Sequence, residues 1–200
     1  MPVSINGNTG VVTGIAVGGL PDGIVDTDML ASGAVTAAKR GAGAILQIVK
    51  GGTGDLFSTT STSYIDATGM SVAITTTGSN KVYLICDYTL SNTEGYVLAR
   101  LTRTTSSTTT VICAGNTAGS RDLGIHSFYH NNSYAGQYIT EKHCAIELDS
   151  PGAGTHTYKM QMRVTEGTGY LNSNSTNSSD PDRTVDTRTS SKIIVMEVAA

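Results

Sequence analysis

Tyr158-Lys159-Met160-Gln161-Met162-Arg163-Val164 alternates large apolar and polar side chains without a break. Successive side chains of a β-strand point to opposite sheet faces. The stretch therefore reads as a half-buried strand with Tyr158, Met160, Met162 and Val164 on its core side. Working outward, the same period recurs in Met70, Val72 and Ile74, and in Val82, Leu84 and Cys86 with Tyr83 and Ile85 opposite. Val97, Ala99 and Leu101 alternate against Tyr96, Leu98 and Arg100, while Cys144, Ile146 and Leu148 form one apolar face. The closing run Lys192-Ile193-Ile194-Val195-Met196-Glu197-Val198 is apolar on both faces, which predicts a central strand. Short runs of this kind, separated by Gly, Asn, Ser and Pro, predict an all-β chain: an antiparallel β-sandwich, jelly-roll-like, over residues 59–200. Two stretches do not read as strands. Residues 172–182 are Asn/Ser-rich and predict a solvated loop, and residues 114–137 mix Gly, Asn, Tyr and His.

Composition supports this reading and narrows the function. Only 14% of the 200 residues are charged, while Thr, Ser and Gly abound, so hydroxyls instead of ions are expected to solvate the surface. The net charge of -3 and the lack of a basic stripe argue against nucleic acid as a partner. No apolar run is long enough to cross a bilayer, so membrane insertion is not expected. The N-terminus lacks the basic-then-apolar order of a secretory signal. Cys86, Cys113 and Cys144 are odd in number and widely spaced, which predicts three buried free thiols.

Residues 1–50 contain no aromatic residue and are built from small clusters of Gly, Ala and Val, so they cannot form a core of their own. Asp26 or Thr27 can cap a short helix over about 27–39, with Leu30, Ala34, Val35 and Ala38 at helical spacing and Gly41 as a stop. That narrow stripe suits close approach of identical helices about an axis, which makes these four the candidate trimer-interface residues. Lys50-Gly51-Gly52-Thr53-Gly54-Asp55 reads as a glycine-rich hinge, opening a linker over 51–58 that separates the 1–50 segment from the β domain.

The chemistry expected of an enzyme is missing. There is no phosphate-binding loop, and Gly69-Met70-Ser71-Val72-Ala73 lacks the last glycine of a nucleophile elbow and lies inside an alternating strand. On a helix His126 and His130 would share a face and could ligate a metal; on a strand they would lie about 13 Å apart, too far to share an ion, and they read as surface or loop histidines. No enzyme activity, cofactor or metal is expected. The one aromatic concentration, Phe128, Tyr129, Tyr134 and Tyr138 interleaved with Asn131, Asn132 and Gln137, has the mixture of flat apolar faces and amides that suits a sugar or protein surface. Phe128, Tyr129, Asn131, Asn132, Tyr134 and Tyr138 are therefore the candidate receptor-binding residues.

Val17-Gly18-Gly19-Leu20-Pro21-Asp22-Gly23-Ile24-Val25-Asp26, then Leu30-Ala31-Ser32-Gly33-Ala34-Val35-Thr36-Ala37-Ala38-Lys39 and Gly41-Ala42-Gly43-Ala44-Ile45-Leu46-Gln47, resemble the linker-and-collar segment of bacteriophage fibre proteins, including tail fibres. Arg40 stands where the family phrase usually has Leu. Ser63-Tyr64-Ile65-Asp66, Lys81-Val82-Tyr83, Leu101-Thr102-Arg103 and Ile193-Ile194-Val195-Met196-Glu197 are similar to the knob domains attached to such linkers. The resemblance implies a viral structural protein located in the virion and assembled in the host cytoplasm. It implies a homotrimer anchored to other virion proteins through residues 1–50, with the β domain projecting outward for attachment to host polysaccharide or protein. The alternative expectation is a trimeric capsid decoration protein that stabilises the head.

Overall fold

In a computed structural model, the described residues are 4–6, 8, 11–13, 32, 34–36, 39–130, 140–173 and 188–200. The chain divides into two compact units, Met1–Arg40 and Gly41–Ala200. In the first, β1 (Ser4–Asn6) and β2 (Val11–Thr13) pair antiparallel. Most of the helix expected over about 27–39, with Leu30 and Ala38, lies outside the described residues. Ala34, Val35 and Thr36 within it are not helical, and the Lys39 amide closes a tight turn onto the Thr36 carbonyl at 3.0 Å.

The second unit is all-β among the described residues, built from two antiparallel sheets. The first sheet joins β3 (Ile45–Thr53), β13 (Ser191–Val198), β6 (Lys81–Asn92) and β10 (Glu141–Asp149) in that lateral order. The short strand β12 (Gly169–Leu171) pairs with Leu90–Asn92 at the end of β6, and β4 (Phe57–Thr59) pairs with β12 in turn. The second sheet runs β5 (Ile65–Thr76), β11 (Gly154–Val164), β7 (Gly95–Thr105), with β8 (Thr108–Ile112) and β9 (His126–His130) pairing different parts of β7.

The inward faces of both sheets share one core. Val82, Leu84, Cys86, Tyr88 and Leu90 of β6 and Ile193 and Val195 of β13 meet Met70, Val72 and Ile74 of β5, Val97, Ala99 and Leu101 of β7, and Tyr158, Met160, Met162 and Val164 of β11. Each large side chain so buried contributes about 1.5–3 kcal/mol of transfer free energy before entropy is counted. The expected period-2 faces of β5, β6, β7 and β11 are therefore the core faces, and β13 is central as expected, flanked by β3 and β6.

Three readings need correction. Gly51, Gly52 and Thr53 are not a hinge but the end of β3, paired with Ile193, Lys192 and Ser191. The glycines answer to crowding: a Cβ on Gly51 would stand 2.2 Å from the Ser71 carbonyl oxygen, so only hydrogen fits there. Within residues 114–137, His126–His130 form β9 on the edge of the second sheet. The thiols are free, but only Cys86 is buried; Cys113 is half-buried and Cys144 exposed, because Cys144 points outward from β10.

Several buried polar side chains are tied down. His156 is fully buried, its Nδ1 at 2.8 Å from Thr105 Oγ1 and its Nε2 at 3.1 Å from both Thr76 Oγ1 and the Gly152 carbonyl. Arg103 of β7 reaches Asp149 at the end of β10, at 2.5 and 2.6 Å from its two oxygens, and the Tyr158 hydroxyl donates to the same carboxylate at 2.8 Å. This group bridges the two sheets at one end of the core.

Candidate functional site

The register of β7 and β9 sets Tyr96 opposite Tyr129, and their rings lie 4.6 Å apart between centroids on the outer face of the second sheet. They are 44% and 53% exposed and tilted by 44°, so the pair offers an exposed aromatic surface. Phe128, the next residue, points the other way. It is 9% exposed and packs in the core, which removes it from the candidate contact residues. Asn131, Asn132, Tyr134 and Tyr138 lie outside the described residues. Of the expected recognition group, Tyr129 is thus the described member that faces outward, and its partner Tyr96 was legible only as the polar-face residue of a strand.

Beside the aromatic pair's sheet, a recess of about 400 Å³ is lined by Tyr64, Arg121, Asp122 and His126 among others. Tyr64 lies against Arg100, whose guanidinium carbon is 4.0 Å from the ring centroid, and Arg163 is 5.4 Å from it. Burial raises the Tyr64 hydroxyl above its usual value, with the charge of Asp122 acting the same way, so it remains a neutral donor.

A larger feature is the outer face of the first sheet. Ile48, Met196, Tyr83 and Leu148 stand side by side across β3, β13, β6 and β10, and Lys50, Ile194, Ile85 and Ile146 form the next row. All but Lys50 are apolar. Ile48 is 61%, Ile146 54% and Leu148 49% exposed. Ile45 and Val198 continue the face toward one end, where Lys81 sits; at the other end Lys192, Asp87 and Cys144 form a polar margin in which Lys142 pairs with Asp87 at 2.9 Å. Isolated exposed apolar residues are ordinary, but a contiguous apolar patch with a charged rim marks a contact surface.

The strand β10 makes the point sharply, because its pattern is inverted. Its inward-facing positions carry Glu141, His143, Ala145, Glu147 and Asp149, while Cys144, Ile146 and Leu148 face outward. A strand at the edge of a solvated sheet is expected to do the reverse. The sequence marks Cys144, Ile146 and Leu148 as an apolar face; it does not say that this face points away from the chain's own core. Among the described candidate trimer residues, Ala34 is half-buried and Val35 is 51% exposed. Compared with the models of known protein families and with curated proteins, the chain matches none.

Proposed function

We propose that this chain is a non-enzymatic structural protein of a bacteriophage particle, a fibre-type protomer that works as a homotrimer. Its N-terminal segment anchors to the virion, and its β domain projects outward to attach to the host surface. The observation that carries the reading is the inverted apolar face of the first sheet. An apolar row spanning four strands is costly in water, and identical copies packed about a symmetry axis cover it on every protomer at once. Each half-exposed Ile or Leu so covered contributes roughly 1 kcal/mol, half the value of full burial. Several such residues on every copy add in the same direction, toward association.

The pairing scheme also supports a jelly roll. Taking β8 and β9 together, the eight main strands pair first with last (β3–β13), second with seventh (β5–β11), third with sixth (β6–β10) and fourth with fifth (β7 with β8 and β9). A hairpin rolled into two sheets gives that nesting, and β13–β6 and β11–β7 are the seams it creates. The linker phrases over residues 17–47 support the virion assignment, and the exposed Tyr96–Tyr129 pair supports a recognition role for the outer surface.

The test is made on particles. Removing residues 1–40 should abolish incorporation into the virion. The double variant Tyr96→Ala and Tyr129→Ala should be incorporated normally but adsorb to host cells at least tenfold more slowly. Normal adsorption, together with heads that lose heat stability when the protein is left out, would instead identify a decoration protein.

A further inference from the structure

His126 and His143 come from different sheets, on the successive strands β9 and β10, and their rings are only 3.6 Å apart between centroids. Glu141, two residues before His143 on the same inward face of β10, places its Oε2 3.1 Å from His143 Nε2 and 3.7 Å from His126 Nε2. The ligand-capable atoms of all three lie within 4.8 Å of one another. Among the described residues this is the one group of three His, Cys, Asp or Glu side chains so arranged. It sits where the edges of the two sheets meet, with Tyr88 beside His143 at 5.6 Å between rings.

The cluster is not explained as an internal hydrogen-bond network. His143 has a partner in Glu141, but His126 Nε2 is buried and has none; 3.7 Å from the carboxylate is beyond hydrogen-bond reach. A buried polar nitrogen left without a partner costs about 1–3 kcal/mol, which a bound ligand would recover.

We propose that His126, Glu141 and His143 form a binding site for one divalent cation of the zinc class, which ties β9 of one sheet to β10 of the other. Two imidazole nitrogens and one carboxylate oxygen are a donor set for Zn²⁺, Co²⁺ or Ni²⁺ and disfavour Ca²⁺ and Mg²⁺, which take oxygen ligands. Ligand atoms on a tetrahedral zinc stand about 3.3 Å apart, so the two distances to Glu141 already suit it. The rings do not: ligation must fan them from 3.6 Å to about 5 Å between centroids, a rotation open to His143, whose side chain is 24% exposed. The ligands' partial exposure, 18% for His126 and 40% for Glu141, leaves the fourth position to solvent. The site is independent of the virion assignment, since it rests on side chains within one β domain.

The experiment is a titration of the full-length, metal-stripped chain with Zn²⁺. Calorimetry is expected to give one site per chain with a dissociation constant of about 1 μM or tighter, and Mg²⁺ to give no heat. Long-range ¹⁵N–¹H spectra of the histidine rings should show His126 and His143 moving on saturation while His156 stays fixed, a readout that needs no variant. The variants His126→Ala, His143→Ala and Glu141→Gln should each weaken binding at least thirtyfold with circular dichroism unchanged. Cys144→Ser should bind as the parent does, which separates this site from thiol capture. Zinc binding that survives both histidine variants, zinc shifts confined to other histidines, or no saturable binding up to 1 mM would each overturn the proposal.

Discussion

Glu197→Gln should destabilise the β domain by roughly 2–4 kcal/mol at pH 7, and the loss should shrink as the pH falls. Glu197 closes β13 with a carboxylate that is only 3% exposed. Its Oε1 accepts from the Thr77 amide at 2.8 Å, the Thr77 hydroxyl at 3.1 Å and the Asn80 amide at 2.8 Å; its Oε2 accepts from the Gln47 amide at 2.7 Å. Four donors thus converge on one charge and lock the β5–β6 turn and β3 onto the end of β13. A hydrogen bond to a charged group is worth about 1.5–3 kcal/mol net and a neutral one about 1, so neutralising the acceptor weakens each of the four. Glutamine can keep the three bonds at its oxygen, but its NH₂ then faces the Gln47 NH₂, donor against donor. Burial works to raise the Glu197 pKa, but the bonds from Asn80, Thr77 and Gln47 outweigh it and hold the carboxyl below its usual value. A carboxyl whose folded pKa lies below its unfolded value adds stability that is complete above the unfolded pKa, about 4.3, and is lost as pH falls through the folded one. Urea denaturation of both proteins at pH 7 and pH 3, at one protein concentration, tests this. A difference under 0.5 kcal/mol at pH 7, or one undiminished at pH 3, would refute the reasoning.

Other substitutions test other parts of the fold. Gly51→Val should cost at least about 3 kcal/mol, because its Cβ would stand 2.2 Å from the Ser71 carbonyl oxygen, and thermal unfolding would register a Tm lower by about six degrees or more. Met160→Ala, in the centre of the core at 0% exposure, should cost about 2–5 kcal/mol in chemical denaturation. A thiol reagent should leave Cys86 unmodified in the native protein, since burial pushes its pKa up to about 12, whereas dilute, dissociated protein should react rapidly at exposed Cys144. Raising the protein concentration should then slow Cys144 as the apolar face is covered.

What the sequence made legible, and what it did not, follows from how each element meets its neighbours. β11 and β13 were readable because Met160, Met162, Ile193 and Val195 pack on the core in a strict period of two. β9 was not, because only Phe128 of its five residues is a core aliphatic or aromatic; its strand character comes from pairing with Gly95–Ala99, a tertiary fact. Gly51 and Gly52 looked like a hinge because glycine permits both freedom and close approach, and only the position of Ser71 decides which. The candidate contact surfaces were half legible. The aromatic concentration marked Tyr129 but could not say that Phe128 turns inward. The Cys144–Ile146–Leu148 stripe was visible, but periodicity fixes which residues share a face and not which face is inside. The grouping of His126 with Glu141 and His143 joins strands from two sheets, and no local spacing could have announced it.

The most direct test of the account is the mass in solution of the full-length chain by light scattering, beside Ile146→Lys. The account predicts three times 20.7 kDa for the parent at micromolar concentration. It predicts a folded monomer for the variant, since three buried, unpaired lysines per assembly would cost more than the apolar contact supplies. A parent chain that stays monomeric, or a variant that remains trimeric, would contradict the claim that the outward apolar face of β3, β13, β6 and β10 is where the copies meet.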